Sequence, residues 1–252
     1  MISCDELIDA CEARLQPERF KDYTVNGLQV EGRRQVGRVM TGVTACQALL
    51  DEAVAWQADV LLVHHGYFWK NEPVSITGMK RRRLATLLAN DINLLAYHLP
   101  LDAHPELGNN AQLGLKLGLS PEGCVDGPLG EGLLWVGTPA EPCDDRELAA
   151  RLTRHLGREP LLVHGHEGAL TRIAWCTGGA QDMITQAAEA GAQAFVSGEI
   201  SERTTHIARE TGISYLAAGH HATERDGVKA LGEWLATRFG LEHRFVDIDN
   251  PA

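Results

Sequence analysis

The chain has 252 residues, of which 44% are hydrophobic and 23% charged, and a formal net charge of -11 at pH 7. That length accommodates one large or two small domains with cores of their own, and the composition is that of an ordinary globular protein. The acidic balance repels a phosphate backbone at long range, which argues against a protein whose main partner is nucleic acid.

Taken from the N-terminus, Met1–Glu6 has no basic region leading into an apolar stretch, and no apolar run later in the chain is long enough for a membrane span. The chain therefore reads as cytoplasmic, with no membrane partner. Leu7, Ile8, Cys11 and Leu15 recur at helical spacing and predict an amphipathic helix over residues 5–15. Asn26-Gly27-Leu28-Gln29-Val30-Glu31-Gly32 reads as turn, short strand, turn. Val39–Thr44 reads as a strand running into a Gly/Thr turn, and a helix over about 45–56 carries Leu49, Leu50, Ala53 and Val54 on one face. Val60-Leu61-Leu62-Val63 is then a buried type of strand that ends in His64-His65-Gly66.

Four cations, Lys80-Arg81-Arg82-Arg83, precede a helix around Leu84–Ala89. They read as a solvated first turn, with a phosphate or partner contact as the alternative. Strand Ile92–Tyr97 runs into His98-Leu99-Pro100-Leu101-Asp102, and a helix follows at Ala111–Leu117. Residues from about 120 to 170, rich in Gly, Pro and acidic side chains, read as a linker into the second half.

Beyond that segment the pattern repeats. Ile173–Gly179 and Ala194-Phe195-Val196 match the first two strands at a shift of 134 positions, which puts Gly198-Glu199 on His64-His65. A helix around Thr205–Glu210 and strand Ile213–Ala218 match the next unit at a shift of 121, and that strand runs into Gly219-His220-His221-Ala222-Thr223-Glu224. A last helix spans Val228–Phe239. The two halves read as copies, residues 1–124 carrying the His-His and His-x-x-x-Asp motifs and residues 125–252 the His-x-x-x-Glu motif. Strands alternating with helices predict an α/β fold with mostly parallel sheets covered on both faces, in which ligands gather beyond the carboxyl ends of the strands.

The candidate chemistry lies at those strand ends. His64 and His65, adjacent on an extended backbone, should point to opposite sides, which suits two metals, or one metal and one contact behind its ligands, better than chelation of one ion. His98 and Asp102 can project into one crevice, with Asp102 able to bridge two cations or to cap a helical turn. His104 reads as a surface residue. His220 and Glu224, four apart, stack on one helical face, while His221 and Arg225 face away or hold an anion. Together these predict a dinuclear centre of His64, His65, Asp102, His220 and Glu224. Three imidazoles and two carboxylates suit two ions of Mn, Fe, Zn, Co or Ni rather than Mg or Ca. His98, if not a ligand, is placed beside the metals or for acid/base work, and Glu199 is a further candidate near the crevice. The six cysteines, Cys4, Cys11, Cys46, Cys124, Cys143 and Cys176, are scattered and read as free buried thiols in a reducing compartment. Gly42 and Gly178-Gly179 read either as anion-binding backbone or as tight turns.

These motifs closely resemble the YbgI-like family, relatives of the NGG-interacting factor three often called GTP cyclohydrolase 1 type 2 homologues. The resemblance rests on Asn26–Val30, Thr41–Thr44, His64-His65-Gly66-Tyr67-Phe68-Trp69, His98–Asp102, Thr177-Gly178-Gly179 and Gly219–Arg225, and spans nearly the whole chain. It implies a three-layer α/β/α fold with a duplicated domain, the dinuclear centre on the five residues named, and a homohexameric toroid. It attributes GTP cyclohydrolase activity to some members and links others to damaged nucleotides, DNA repair or metal handling. Two bridged metals beside His98 favour a metal-dependent hydrolase acting on a nucleotide-like small molecule, with metal delivery without turnover as the second reading and a ring on nucleic acid in the response to DNA damage as the third. In the third, Lys80–Arg83 would line the hole.

Overall fold

A computed structural model describes residues 1–127 and 130–252. Along the chain the elements are β1 (Ile2–Ser3), α1 (Cys4–Leu15), β2 (Gly27–Val30), β3 (Gln35–Val36), β4 (Arg38–Thr44), α2 (Gln47–Ala55), β5 (Val60–His65), α3 (Gly78–Ala89), β6 (Asn93–Ala96), α4 (Leu99–Ala103) and α5 (Asn109–Leu117). They continue as β7 (Leu119–Gly127), β8 (Gly130–Pro139), α6 (Asp145–Leu156), β9 (Leu161–Val163), β10 (Ile173–Cys176), α7 (Ile184–Glu189), β11 (Ala194–Ser197), α8 (Glu202–Thr211), β12 (Ser214–Ala217), α9 (His220–Thr223), α10 (Arg225–Phe239) and β13 (Glu242–Phe245). By packing, the chain divides into two compact units, Met1–Leu101 with Gly227–Asp249 and Asp102–Asp226 with Asn250–Ala252. That division follows contacts, whereas the repeat boundary after residue 124 follows sequence likeness, and the two need not coincide.

The first unit holds a sheet of order β13-β4-β5-β6-β2, in which every pairing is parallel except that of β2 with β6. Met40, Leu61, Val63, Leu94 and Ala96 face α2 and α3, which bury Leu49, Leu50, Ala53, Leu84 and Leu87 against them. The packing is close enough that a Cβ on Gly42 would overlap the Leu49 side chain. Gly42 is thus a strand residue under a helix, not an anion-binding turn. On the other face α10 lies over Thr41, where a Cβ on Gly232 would meet the side chains of Thr41 and His243.

The second unit holds a sheet of order β7-β8-β10-β11-β12-β9, parallel at its centre and antiparallel at both flanks. Ile173, Trp175, Ala194, Val196 and Leu216 pack with Leu113 and Leu117 of α5 and with Leu148, Leu152 and Leu156 of α6. The alternate residues Ala174, Phe195 and Tyr215 therefore face the crossover helices α7 and α8 on the opposite side.

Each unit is thus a three-layer α/β/α arrangement, and the two topologies repeat: β4-α2-β5-α3-β6 corresponds to β10-α7-β11-α8-β12, and β2 and β9 pair antiparallel at the same flank. The flank strands differ, since β13 runs parallel to β4 and β8 antiparallel to β10. Residues 120–170 are the hairpin β7–β8, helix α6 and strand β9 rather than a linker, apart from Pro128 and Leu129, which lie outside the described residues. Gly and Pro content misled because α6 is capped by polar residues, Asp144 accepting from Glu147 N, and its apolar face of Leu148, Leu152 and Leu156 is interrupted by charges.

Candidate metal centre

Two sets of donors stand at the carboxyl ends of the parallel strands, one in each unit. In the first unit His64 and His65 close β5 and His98 follows β6, and one ligand atom from each lies within 4.8 Å of the others. His64 is fully buried, and its Nδ1 lies 2.9 Å from the Tyr97 carbonyl. A carbonyl accepts only from N–H, so this contact fixes the tautomer and makes Nε2 the nitrogen that carries a lone pair for a ligand bond.

The opposite-sides expectation for the dihistidine fails at the rings, whose centroids are 4.6 Å apart. Alternation is a rule for the interior of a pleated strand, and β5 ends at His65, where Gly66 turns the chain.

His98 is held by groups that lie outside the histidine motifs. Its Nδ1 lies 2.9 Å from Asp22 Oδ1, its backbone N–H donates to Asn26 Oδ1 at 2.7 Å, and Leu99 N–H donates to Asp22 Oδ2 at 3.0 Å. Burial pushes the Asp22 carboxyl up, but the hydrogen bond and charge of His98, with the Asn26 and Leu99 donors, hold it below the ordinary range. Gln29 serves the neighbouring loop: its amide accepts from Tyr67 N–H at 2.7 Å and donates to Tyr67 O at 3.0 Å. A Cβ at Gly66 would collide with that amide. The Asn-Gly-Leu-Gln segment is therefore a bracket for the histidine loops. Its sequence signal was an amide pair beside a turn, with no charge to flag it.

In the second unit Asp102, His220 and Glu224 gather where β10 ends. Asp102 Oδ1 accepts from Asn109 Nδ2 at 2.8 Å and from Thr177 Oγ1 at 3.3 Å. Asn110 reinforces the arrangement, its Oδ1 accepting from Thr177 N–H at 2.9 Å. His220 Nε2 lies 3.2 Å from Glu224 Oε1, and its Nδ1 lies 2.7 Å from Glu199 Oε1. Glu199 thus touches the site from the position equivalent to His65. Burial lowers the His220 pKa, but hydrogen bonds and charges from Glu224 and Glu199 outweigh it and raise the imidazole to about 9. Asp102 and Glu224 are both buried, and an oxygen of each lies within 4.8 Å of the other. Two buried like charges at that separation favour a cation between them. The donor set fits a divalent metal on these grounds: at His64 a carbonyl partner leaves Nε2 as the ligand nitrogen, and two buried carboxyl groups stand side by side with an imidazole in reach.

Other expectations resolve locally. Gly178 N–H donates to Thr223 Oγ1 at 3.0 Å, so the Thr-Gly-Gly turn spends that amide within the fold. Arg225 faces away and donates to the Leu156 carbonyl at the end of α6 at 2.6 Å. His104 is corrected from surface to buried, where its Nδ1 accepts from Glu106 and Leu107 N–H at 3.1 and 3.0 Å. A single histidine two residues past a motif gives no sequence sign of that turn.

Residues 2–251 match the DUF34/NIF3 (NGG1p interacting factor 3) family. The chain belongs to the DUF34/NIF3 family. It is 55% identical over 251 residues to a Pseudomonas aeruginosa protein named GTP cyclohydrolase 1 type 2 homolog, covering 100% of this chain and 99% of that one. A Yersinia pestis protein of the same name is 58% identical over 248 residues, covering 98% of each. Among solved structures, protein ybgI, described as of unknown function, is 52% identical with a TM-score of 0.96, and a Thermus thermophilus protein is 36% identical with a TM-score of 0.90; each comparison covers 100% of both chains. HcgD from Methanocaldococcus jannaschii, 24% identical with a TM-score of 0.85 over 99% of this chain and 98% of that one, shares the fold.

Proposed function

We propose that this DUF34/NIF3 chain is a metal-dependent hydrolase of a nucleotide-like small molecule, with His64, His65, Asp102, His220 and Glu224 holding a pair of divalent cations. The observation that carries the reading is the buried pair Asp102 and Glu224, within 4.8 Å of each other and backed by an oriented imidazole at His220. When bound, such a pair of cations acidifies a water and polarises the bond under attack. The chain's own groups then divide the remaining work. Asn109 and Thr177 fix the Asp102 carboxylate, the Tyr97 carbonyl fixes His64, and Glu199 fixes His220. His98, paired with Asp22, is the group for moving a proton to or from the substrate. The name carried by its relatives makes a purine nucleotide the first substrate to try.

The assembly belongs to the same reading. A homohexameric ring would sediment at six times the 27.5 kDa chain mass, and a monomer under the same conditions would remove that part. Turnover is tested by screening nucleoside triphosphates and oxidised nucleotides with metal-loaded wild type and Asp102→Ala. Loss of turnover in a variant that keeps its fold is the expected result, and equal rates in the two proteins would reject the reading.

A further inference from the structure

Beside the histidines of the first unit stands an aromatic face that metal binding does not require. The Trp69 ring lies 5.2 Å from that of His98 at 85°, 5.9 Å from His65, and 5.9 Å from Tyr23, whose ring is in turn 5.2 Å from His98. Trp69 is only partly buried, and Tyr23 is 41% exposed. An indole without a task at the surface would gain by turning inward, since large aromatic rings dominate core energetics.

The loop that presents Trp69 is built to hold it out. Phe68 sits at φ 65°, a left-handed backbone that costs a bulky residue on the order of 1 kcal/mol or more. Glu72 accepts from Phe68 N–H at 2.8 Å and Trp69 N–H at 3.3 Å, fastening the strained residue. Lys80 pairs with Glu72 at 3.4 Å, donates to Pro73 O at 3.1 Å and stands 5.0 Å over the Phe68 ring. The indole N–H donates to Gly66 O at 3.3 Å, and Lys70 N–H donates to Tyr23 O at 2.8 Å, tying the two aromatic segments together. Lys80 is therefore a clamp on this loop, which takes one cation out of the basic run read earlier as a solvated turn or a partner contact. Backbone strain maintained by a charged clamp next to a donor cluster is the pattern of a ligand-positioning loop.

We propose that Trp69, with Tyr23 beside it, is the stacking platform for the planar heteroaromatic ring of the substrate. The inference rests on the nucleotide reading above and deepens it by assigning base recognition to the first unit. Stacking on an indole selects for any flat π-face and reads no hydrogen-bond pattern, so the platform would accept purines of altered edge chemistry as well as normal ones.

The test uses intact protein with its metal and two probes, guanosine 5′-monophosphate and ribose 5-phosphate, with binding read by calorimetry. Wild type should bind the nucleotide more tightly than the sugar phosphate. Trp69→Ala should lose about tenfold or more in nucleotide affinity and leave ribose 5-phosphate unchanged, while Trp69→Phe keeps most of the affinity. Equal nucleotide affinity in wild type and Trp69→Ala would overturn the proposal, as would a wild type that does not distinguish the two probes. If Trp69→Ala fails to fold, Tyr23→Leu supplies the comparison, and unchanged nucleotide affinity there overturns it. Trp69-dependent binding without turnover would sink the hydrolase reading and leave this one standing. Turnover indifferent to Trp69 would do the reverse.

Discussion

Gly178 shows how narrowly the candidate site is built. Its φ is 68°, and a Cβ there would run into the Glu224 carboxylate and come within 3.2 Å of His220 Nε2. Only glycine takes that backbone freely and lets the β10 end approach the two donors. Gly178→Ala should therefore cost about 1–3 kcal/mol of stability and lower metal content, read by thermal unfolding and by metal analysis of the same preparation. An alanine variant with wild-type melting and metal content would show that the turn has room. At this scale the sequence was legible for charged and ring-bearing groups, because imidazoles and carboxylates at strand ends stand out against apolar runs. It was silent on the supporting roles of Asp22, Asn26, Gln29, Asn109 and Thr177, although Asn26, Gln29 and Thr177 lie in motifs that carry the family resemblance. Those residues act by hydrogen bonds to a donor distant in sequence, and nothing in their own neighbourhood marks a polar residue as a support.

Among the elements, periodicity carried most of the fold. The helices and buried strands of both units fall close to where their apolar spacing puts them, since α2 and α3 each bury one face and β5 and β11 are buried on both. What spacing could not supply was β13, with its alternating exposure on the sheet flank, and the hairpin β7–β8, whose glycines and prolines mimic a linker. The placing of β13 beside β4 has a consequence in pH. His243 Nε2 lies 2.9 Å from Thr41 Oγ1 beneath α10, and burial pushes its pKa down, with Glu233 opposing and Lys229 reinforcing the shift. An unfolded chain takes up that proton near the ordinary histidine value of about 6.5 while the folded chain resists it, so this stability is lost as pH falls through about 6.5. Urea midpoints measured at pH 7.5 and 5.5 should fall less in His243→Gln than in wild type. An equal fall in both would show that His243 takes no part. In the second sheet, Leu216→Ala should cost about 2–5 kcal/mol, because the side chain is fully buried among α5 and α6 residues. A loss under about 0.5 kcal/mol, typical of surface sites, would contradict that packing.

For the whole molecule, the repeated β-α-β-α-β topology explains why donors scattered from residue 64 to residue 224 sit at corresponding strand ends, since each copy places its loops at the carboxyl edge of a parallel sheet. The duplication was visible from aligned glycines, alanines and strand-end motifs. Its asymmetry was visible too, with the His-His pair of one copy aligned to Gly198-Glu199 in the other. Overall acidity and the engagement of Lys80 within its own loop both weigh against the nucleic-acid ring reading. The proposal that His64, His65, Asp102, His220 and Glu224 hold a pair of transition-type cations is tested most directly by elemental analysis of protein purified without chelators or nickel affinity. The account predicts about two ions per chain in wild type and a clear drop in both Asp102→Ala and Glu224→Ala. Wild-type protein that carries no metal and takes none up on dialysis against manganese, iron or zinc would contradict it.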